Sequence, residues 1–100
     1  MKTTVFVYGS LLQGLSNHHV LDGAKYLGVG RTAALYDLVD LGAYPGLLES
    51  GSTAVMGELY EVDEQTLAAL DVLEGVPRFY QRVQIQLGDS SSADAYGLSR

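Results

Sequence analysis

Only one segment of this chain carries the spacing of a helix, and both of its ends are marked. Asp63 suits an N-cap and Glu64 a first turn, and Leu67, Leu70 and Leu73 follow at helical intervals. Gly75 is the residue expected just past the end, and Pro77 stops any continuation. With one definite helix, most of the core falls to strands. Thr3 to Tyr8 is rich in β-branched and aromatic residues, is closed by Gly9, and reads as a buried strand. Asn17 to Leu21, with Ser16 as cap, fits a short helical turn. Tyr26 to Tyr36 reads as a long strand bent at Gly28 and Gly30, continuing to Gly42. Ala43-Tyr44-Pro45-Gly46 is a turn signal, and Leu47 to Gly51 leads into a loop. Ala54 to Val62 alternates, with Val55, Gly57 and Leu59 on one face and Met56, Glu58, Tyr60 and Val62 on the other. Phe79 to Leu87 alternates in the same way, and Ala93 to Leu98 fits a last short strand. About five or six strands and a single definite helix predict an α+β fold. The expected form is a small mixed β-barrel, closed or half-closed, with one or two flanking helices, in a single domain over 1–100.

Composition narrows the function. Twelve acidic residues against six basic ones give a net charge of −6, with no Lys/Arg cluster. Such a surface repels phosphate backbones, so nucleic acid is not an expected partner. The chain has no cysteine, which removes disulfides and thiolate metal sites. The apolar stretch Val5 to Val7 is too short for a signal peptide or a membrane span, so no membrane partner and a cytoplasmic location are expected.

The helix carries an unusual carboxylate. With Leu67 at zero and about 100° per residue, Leu70 falls near 300° and Glu74 near 340°. Glu74 therefore lies inside the leucine stripe, where an unpaired carboxylate is costly to bury. Three explanations stand open on the residues alone. Glu74 pairs with Arg78 or Arg82, or it reaches solvent where the helix ends. Otherwise it sits in a partly dry pocket as a general acid/base, its pKa raised by desolvation.

The loop after the first strand is the second candidate. Tyr8-Gly9-Ser10-Leu11 follows the buried strand directly, and Gly9 permits a sharp turn and close approach of a ligand. Successive backbone N–H groups in such a turn can form an anion-binding nest, although an ordinary strand-ending turn has the same appearance. The spacing matches neither a P-loop nor a dinucleotide fingerprint. His18-His19 lacks a third ligand and does not share a helix face, so no metal site is expected. Ser10 has no evident triad partner, which favours a contact role over a nucleophilic one.

Val5-Phe6-Val7-Tyr8-Gly9-Ser10-Leu11, followed by Gly14, Asn17 and His18, resembles the opening of the γ-glutamylcyclotransferase-like proteins. Tyr44-Pro45-Gly46, Gly57-Glu58-Leu59-Tyr60, Leu70-Asp71-Val72-Leu73-Glu74-Gly75 and Tyr80-Gln81-Arg82 resemble later blocks of that family in the same order. The opening is most similar to the γ-glutamylamine cyclotransferase, or AIG2-like, branch. The resemblance implies a small β-barrel flanked by helices and a reaction without cofactor or metal. In that reaction the α-amine of a γ-glutamyl compound attacks its own γ-carbonyl, releasing 5-oxoproline and a free amine or amino acid. It implies Glu74 as the catalytic acid/base, and Gly9, Ser10 and Leu11 as amide donors to the substrate carboxylate or oxyanion. It further implies that Tyr8 shapes the pocket and that Tyr96 touches substrate. Tyr44, beside Pro45-Gly46, is a possible pocket residue. Many members continue beyond the position of Arg100 with a segment that helps cover the pocket, so a more open site is expected here. The rival expectation is a non-catalytic small-molecule-binding or interaction domain that keeps the family pocket.

Overall fold

A computed structural model describes residues 2–8, 18–40, 45–76 and 78–98. Seven strands run through them: β1 (Thr3–Val7), β2 (Lys25–Arg31), β3 (Tyr36–Asp40), β4 (Pro45–Thr53), β5 (Met56–Val62), β6 (Tyr80–Gln86) and β7 (Ser92–Leu98). One helix, α1 (Glu64–Leu73), joins β5 to β6, and a 3-10 turn covers His18–Leu21. The strands form one mixed sheet in the order β2-β5-β1-β7-β4-β3, with β6 paired to β7. The expected α+β class and barrel-like curl are present. β4 differs from expectation, since its residues read as a turn and loop. Its pairing is non-local: antiparallel to β3 with a register shift, and parallel to β7 at Leu47↔Gly97.

Alternation along the strands sorts the apolar residues into two cores. Val5 and Val7 of β1, Tyr60 and Val62 of β5, Tyr80 of β6 and Tyr96 of β7 pack with Leu70 of α1 and Leu21. Phe6, Val55, Ile85, Ala93 and Ala95 point the other way and pack with Tyr36, Leu47 and Leu87. A slip of one residue in any of these strands would exchange the two sets, so register is strongly specified.

The curl is pinned where β2 ends. Thr32 forms an isolated antiparallel bridge with Leu87 of the segment after β6, and the Gly88 N–H donates to the Arg31 carbonyl at 2.9 Å. Thr32 is fully buried. Its hydroxyl accepts the Val55 N–H at 2.9 Å and donates to the Ala33 carbonyl at 2.8 Å. Thr32→Val keeps the shape but leaves the Val55 N–H without its partner. It should destabilise the fold by about 1–3 kcal/mol. Urea unfolding at equal slope would show this as a lower midpoint, and an unchanged midpoint would contradict the role given to Thr32.

Candidate active site

The sheet forks beside β7. β6 pairs with β7 along its whole length, from Tyr80↔Leu98 to Gln86↔Ser92. That leaves one edge of β7 for two strands: β1 pairs near its start, at Val5↔Asp94, and β4 near its end, at Leu47↔Gly97. Tyr8 follows β1 into the fork. Its hydroxyl donates to the Tyr96 carbonyl of β7 and accepts the Leu47 N–H of β4 at 3.0 Å. Backbone groups that no strand can reach are thus satisfied by a side chain. Burial pushes the Tyr8 phenol pKa well up, with smaller contributions from Tyr80 and the Glu74 carboxylate.

Opposed residues of an antiparallel pair share a face, so Arg82 stands beside Tyr96 and Gln84 beside Asp94. Helix α1 covers this face. Its start is set by Asp63, whose carboxylate accepts the Thr66 N–H at 2.8 Å. Its end is a Schellman motif. Gly75 takes φ +67°, its N–H bonds the Val72 carbonyl at 3.1 Å, and the Val76 N–H bonds the Asp71 carbonyl at 3.0 Å. Glu74 is the C-cap residue, so this turn fixes where its side chain leaves the helix. The buried stripe runs through Leu67 and Leu70 but not Leu73, which is largely exposed. Asp71 and Glu74, three residues apart, lie together on the covered face.

The two carboxylates have different surroundings. Asp71 accepts the Tyr96 hydroxyl at 2.7 Å on one oxygen and faces the Arg82 guanidinium at 3.4 Å with the other. Arg82 also approaches Asp94 at 4.0 Å. Arg82, one of the two arginines suggested as a partner for Glu74, therefore pairs with Asp71 and Asp94 instead. Glu74 is half-buried, and among the described residues no ion pair or hydrogen bond meets its side chain. Desolvation alone raises its pKa. Its charge acts on the phenols of Tyr8 and Tyr96, whose pKa values burial and these neighbours drive far up. The carboxylate is thus close enough to both tyrosines for its charge to reach their phenols. Tyr80 stands nearby, its hydroxyl donating to the Pro45 carbonyl at 2.8 Å.

The profile of the family described as γ-glutamyl cyclotransferase, AIG2-like, matches residues 5–100. The chain belongs to this family. A Vibrio cholerae protein provisionally assigned as a γ-glutamylcyclotransferase is 54% identical over 86 residues, which is 86% of this chain and 74% of that one. Human γ-glutamylaminecyclotransferase is 42% identical over 92 residues, covering 83% of this chain and 60% of its own length. The crystal structure of an AIG2-like protein from Mus musculus superposes with a TM-score of 0.87 at 34% identity, over 98% of this chain and 78% of that one.

Of the site residues expected from sequence, the structure brings Glu74, Tyr8 and Tyr96 together. Gly9, Ser10, Leu11 and Tyr44 lie outside the described residues. Sequence reasoning gave no role to Asp71, although it stands in the same Leu70–Gly75 block, because its partners come from β6 and β7. His18 lies against the Tyr60 ring at 5.8 Å between centroids, as a core-edge contact. Among the described residues no helix is long and apolar enough to cross a membrane.

The Glu74 environment has a signature in stability. A carboxyl whose folded-state pKa is raised above 4.5 binds its proton more tightly when folded. Its favourable contribution is complete below the unfolded pKa and is lost as the pH rises through the folded pKa. Glu74→Gln cannot ionise, so it should melt above wild type at neutral pH. The gap should close as the pH falls below the ordinary value of 4.5. A variant that melts below wild type at neutral pH would indicate a stabilising partner for Glu74.

Proposed function

We propose that this chain is a γ-glutamyl cyclotransferase in which Glu74 is the general acid/base. The observation that carries the proposal is the Glu74 carboxylate, half-buried at the helix cap, unpaired among the described residues, and near enough for its charge to act on Tyr8 and Tyr96. A structural carboxylate would have Arg82, which lies on the same face but pairs with Asp71. Membership of the family supports the reaction class, and the name of the human relative supports an amine leaving group.

The substrate is a γ-glutamyl amine, with γ-glutamyl amino acids and peptides in the same chemical class. Its α-ammonium gives a proton to Glu74, and the amine nitrogen attacks the γ-carbonyl carbon. The ring nitrogen sheds its second proton as the oxyanion collapses and the C–N bond to the leaving group breaks; Glu74 returns the first proton to the departing amine, which takes up the second and leaves as an ammonium. The products are 5-oxoproline and a free amine, with no net proton change on the enzyme. Desolvation moves the Glu74 pKa toward neutrality, where one group can both accept and donate a proton. The amides of Gly9, Ser10 and Leu11 bind the α-carboxylate or the oxyanion. Tyr8 borders the pocket and Tyr96 contacts substrate. The nucleophile belongs to the substrate, so the enzyme supplies position and proton transfer rather than a covalent attack.

Glu74→Gln should retain the fold and lose 5-oxoproline release by about 10²–10⁴-fold. Chromatography of products from γ-glutamyl amines, amino acids and peptides would check this. An undiminished rate would exclude Glu74 as the proton carrier. Binding without any product from wild type would favour a ligand-binding domain instead.

A further inference from the structure

The polar groups bordering Glu74 are polarised in one direction. Asp71 faces the Arg82 guanidinium, and an ion-paired carboxylate offers only acceptor sites. The 2.7 Å bond between Asp71 and Tyr96 must therefore use the Tyr96 proton. The Tyr8 proton goes to the Tyr96 carbonyl and the Tyr80 proton to the Pro45 carbonyl. All three phenols thus direct their donors at the protein. The Tyr96 oxygen keeps its lone pairs for accepting, and the Glu74 carboxylate, one helical turn from Asp71, is close enough for its charge to act on this phenol. A carboxylate beside a phenol oxygen locked as an acceptor matches a group with several donors and a positive charge.

We propose that Asp71 is a positioning residue. By holding the Tyr96 proton, it turns the Tyr96 oxygen and the Glu74 carboxylate into a seat for a primary ammonium group. The assignment of that ammonium to a substrate's α-amine rests on the function proposed above, whereas the seat itself rests on the hydrogen-bond directions. The amine that must attack is then held by two acceptors, one of which takes its proton. Arg82 has an indirect part: its charge keeps Asp71 an acceptor. An Asp71→Asn side chain would turn its carbonyl to Arg82 and its NH₂ to Tyr96. The Tyr96 proton would then be released toward the seat, where it opposes a cation. Tyr96→Phe removes the acceptor without changing shape.

L-Methionine sulfone presents an α-ammonium, an α-carboxylate and a sulfonyl in place of the γ-carbonyl, and it cannot cyclise. 4-(Methylsulfonyl)butanoate is the same molecule without the ammonium. Calorimetric titration of both ligands into wild type, Asp71→Asn, Tyr96→Phe and the double variant tests the seat. Wild type should prefer the ammonium ligand. Each single variant should bind it about tenfold more weakly, the scale of one hydrogen bond to a charged group. The double variant should lose no more than the worse single one, because both changes break the same arrangement. Affinity for the butanoate should be the same in all four proteins, which also controls for folding. Equal losses for both ligands, multiplied losses in the double variant, or no preference in wild type would overturn the proposal. If the pattern holds while Glu74→Gln still releases 5-oxoproline, the ammonium seat stands and the proton-transfer role of Glu74 falls.

Discussion

One edge of β7 has two strands to pair with, and the site is built around that conflict. β6 occupies the opposite edge in full, so β1 and β4 must diverge as they leave β7. Divergence breaks the ladder and strands a carbonyl of β7 and an N–H of β4. The Tyr8 hydroxyl meets both. Its position is dictated by sequence, since it is the residue directly after the buried Val5-Phe6-Val7 run. The same fork holds Tyr96 on β7.

The last turn of the helix positions the candidate carboxylate. Gly75 in the left-handed region permits the two reverse bonds that close α1, and Glu74 is held between them and the last helical residue. Asp71, one turn earlier, pairs with Arg82 and Tyr96. Two acids on one face thus divide into a paired anion and one that, among the described residues, is unpaired. The division follows from which of them the β6 arginine reaches.

The helix caps, the alternation of β5 and β6 and the inward position of Glu74 were legible in the sequence because each depends on residues close in the chain. Asp63 bonds three residues ahead, and Gly75 acts on the turn it closes. β4 was not legible, because Glu49-Ser50-Gly51-Ser52 lacks any alternation and its strand character comes from β3 and β7. The choice of Arg82 between Asp71, Asp94 and Glu74 was equally hidden. Periodicity places all three near one face, and only the Arg82↔Tyr96 register decides between them. Family resemblance singled out Tyr8, but not the partners of its hydroxyl. Its bonds to Leu47 and Tyr96 span 39 and 88 positions, beyond the reach of any local pattern.

The most direct test of this account follows the nitrogen atom. A γ-glutamyl amine labelled with ¹⁵N at its α-position, incubated with the wild-type protein, should give 5-oxoproline with the label in the ring and one equivalent of unlabelled amine. Labelled glutamate would show that water attacks in place of the α-amine. That result, or no reaction with γ-glutamyl amines, amino acids and peptides alike, would contradict the account.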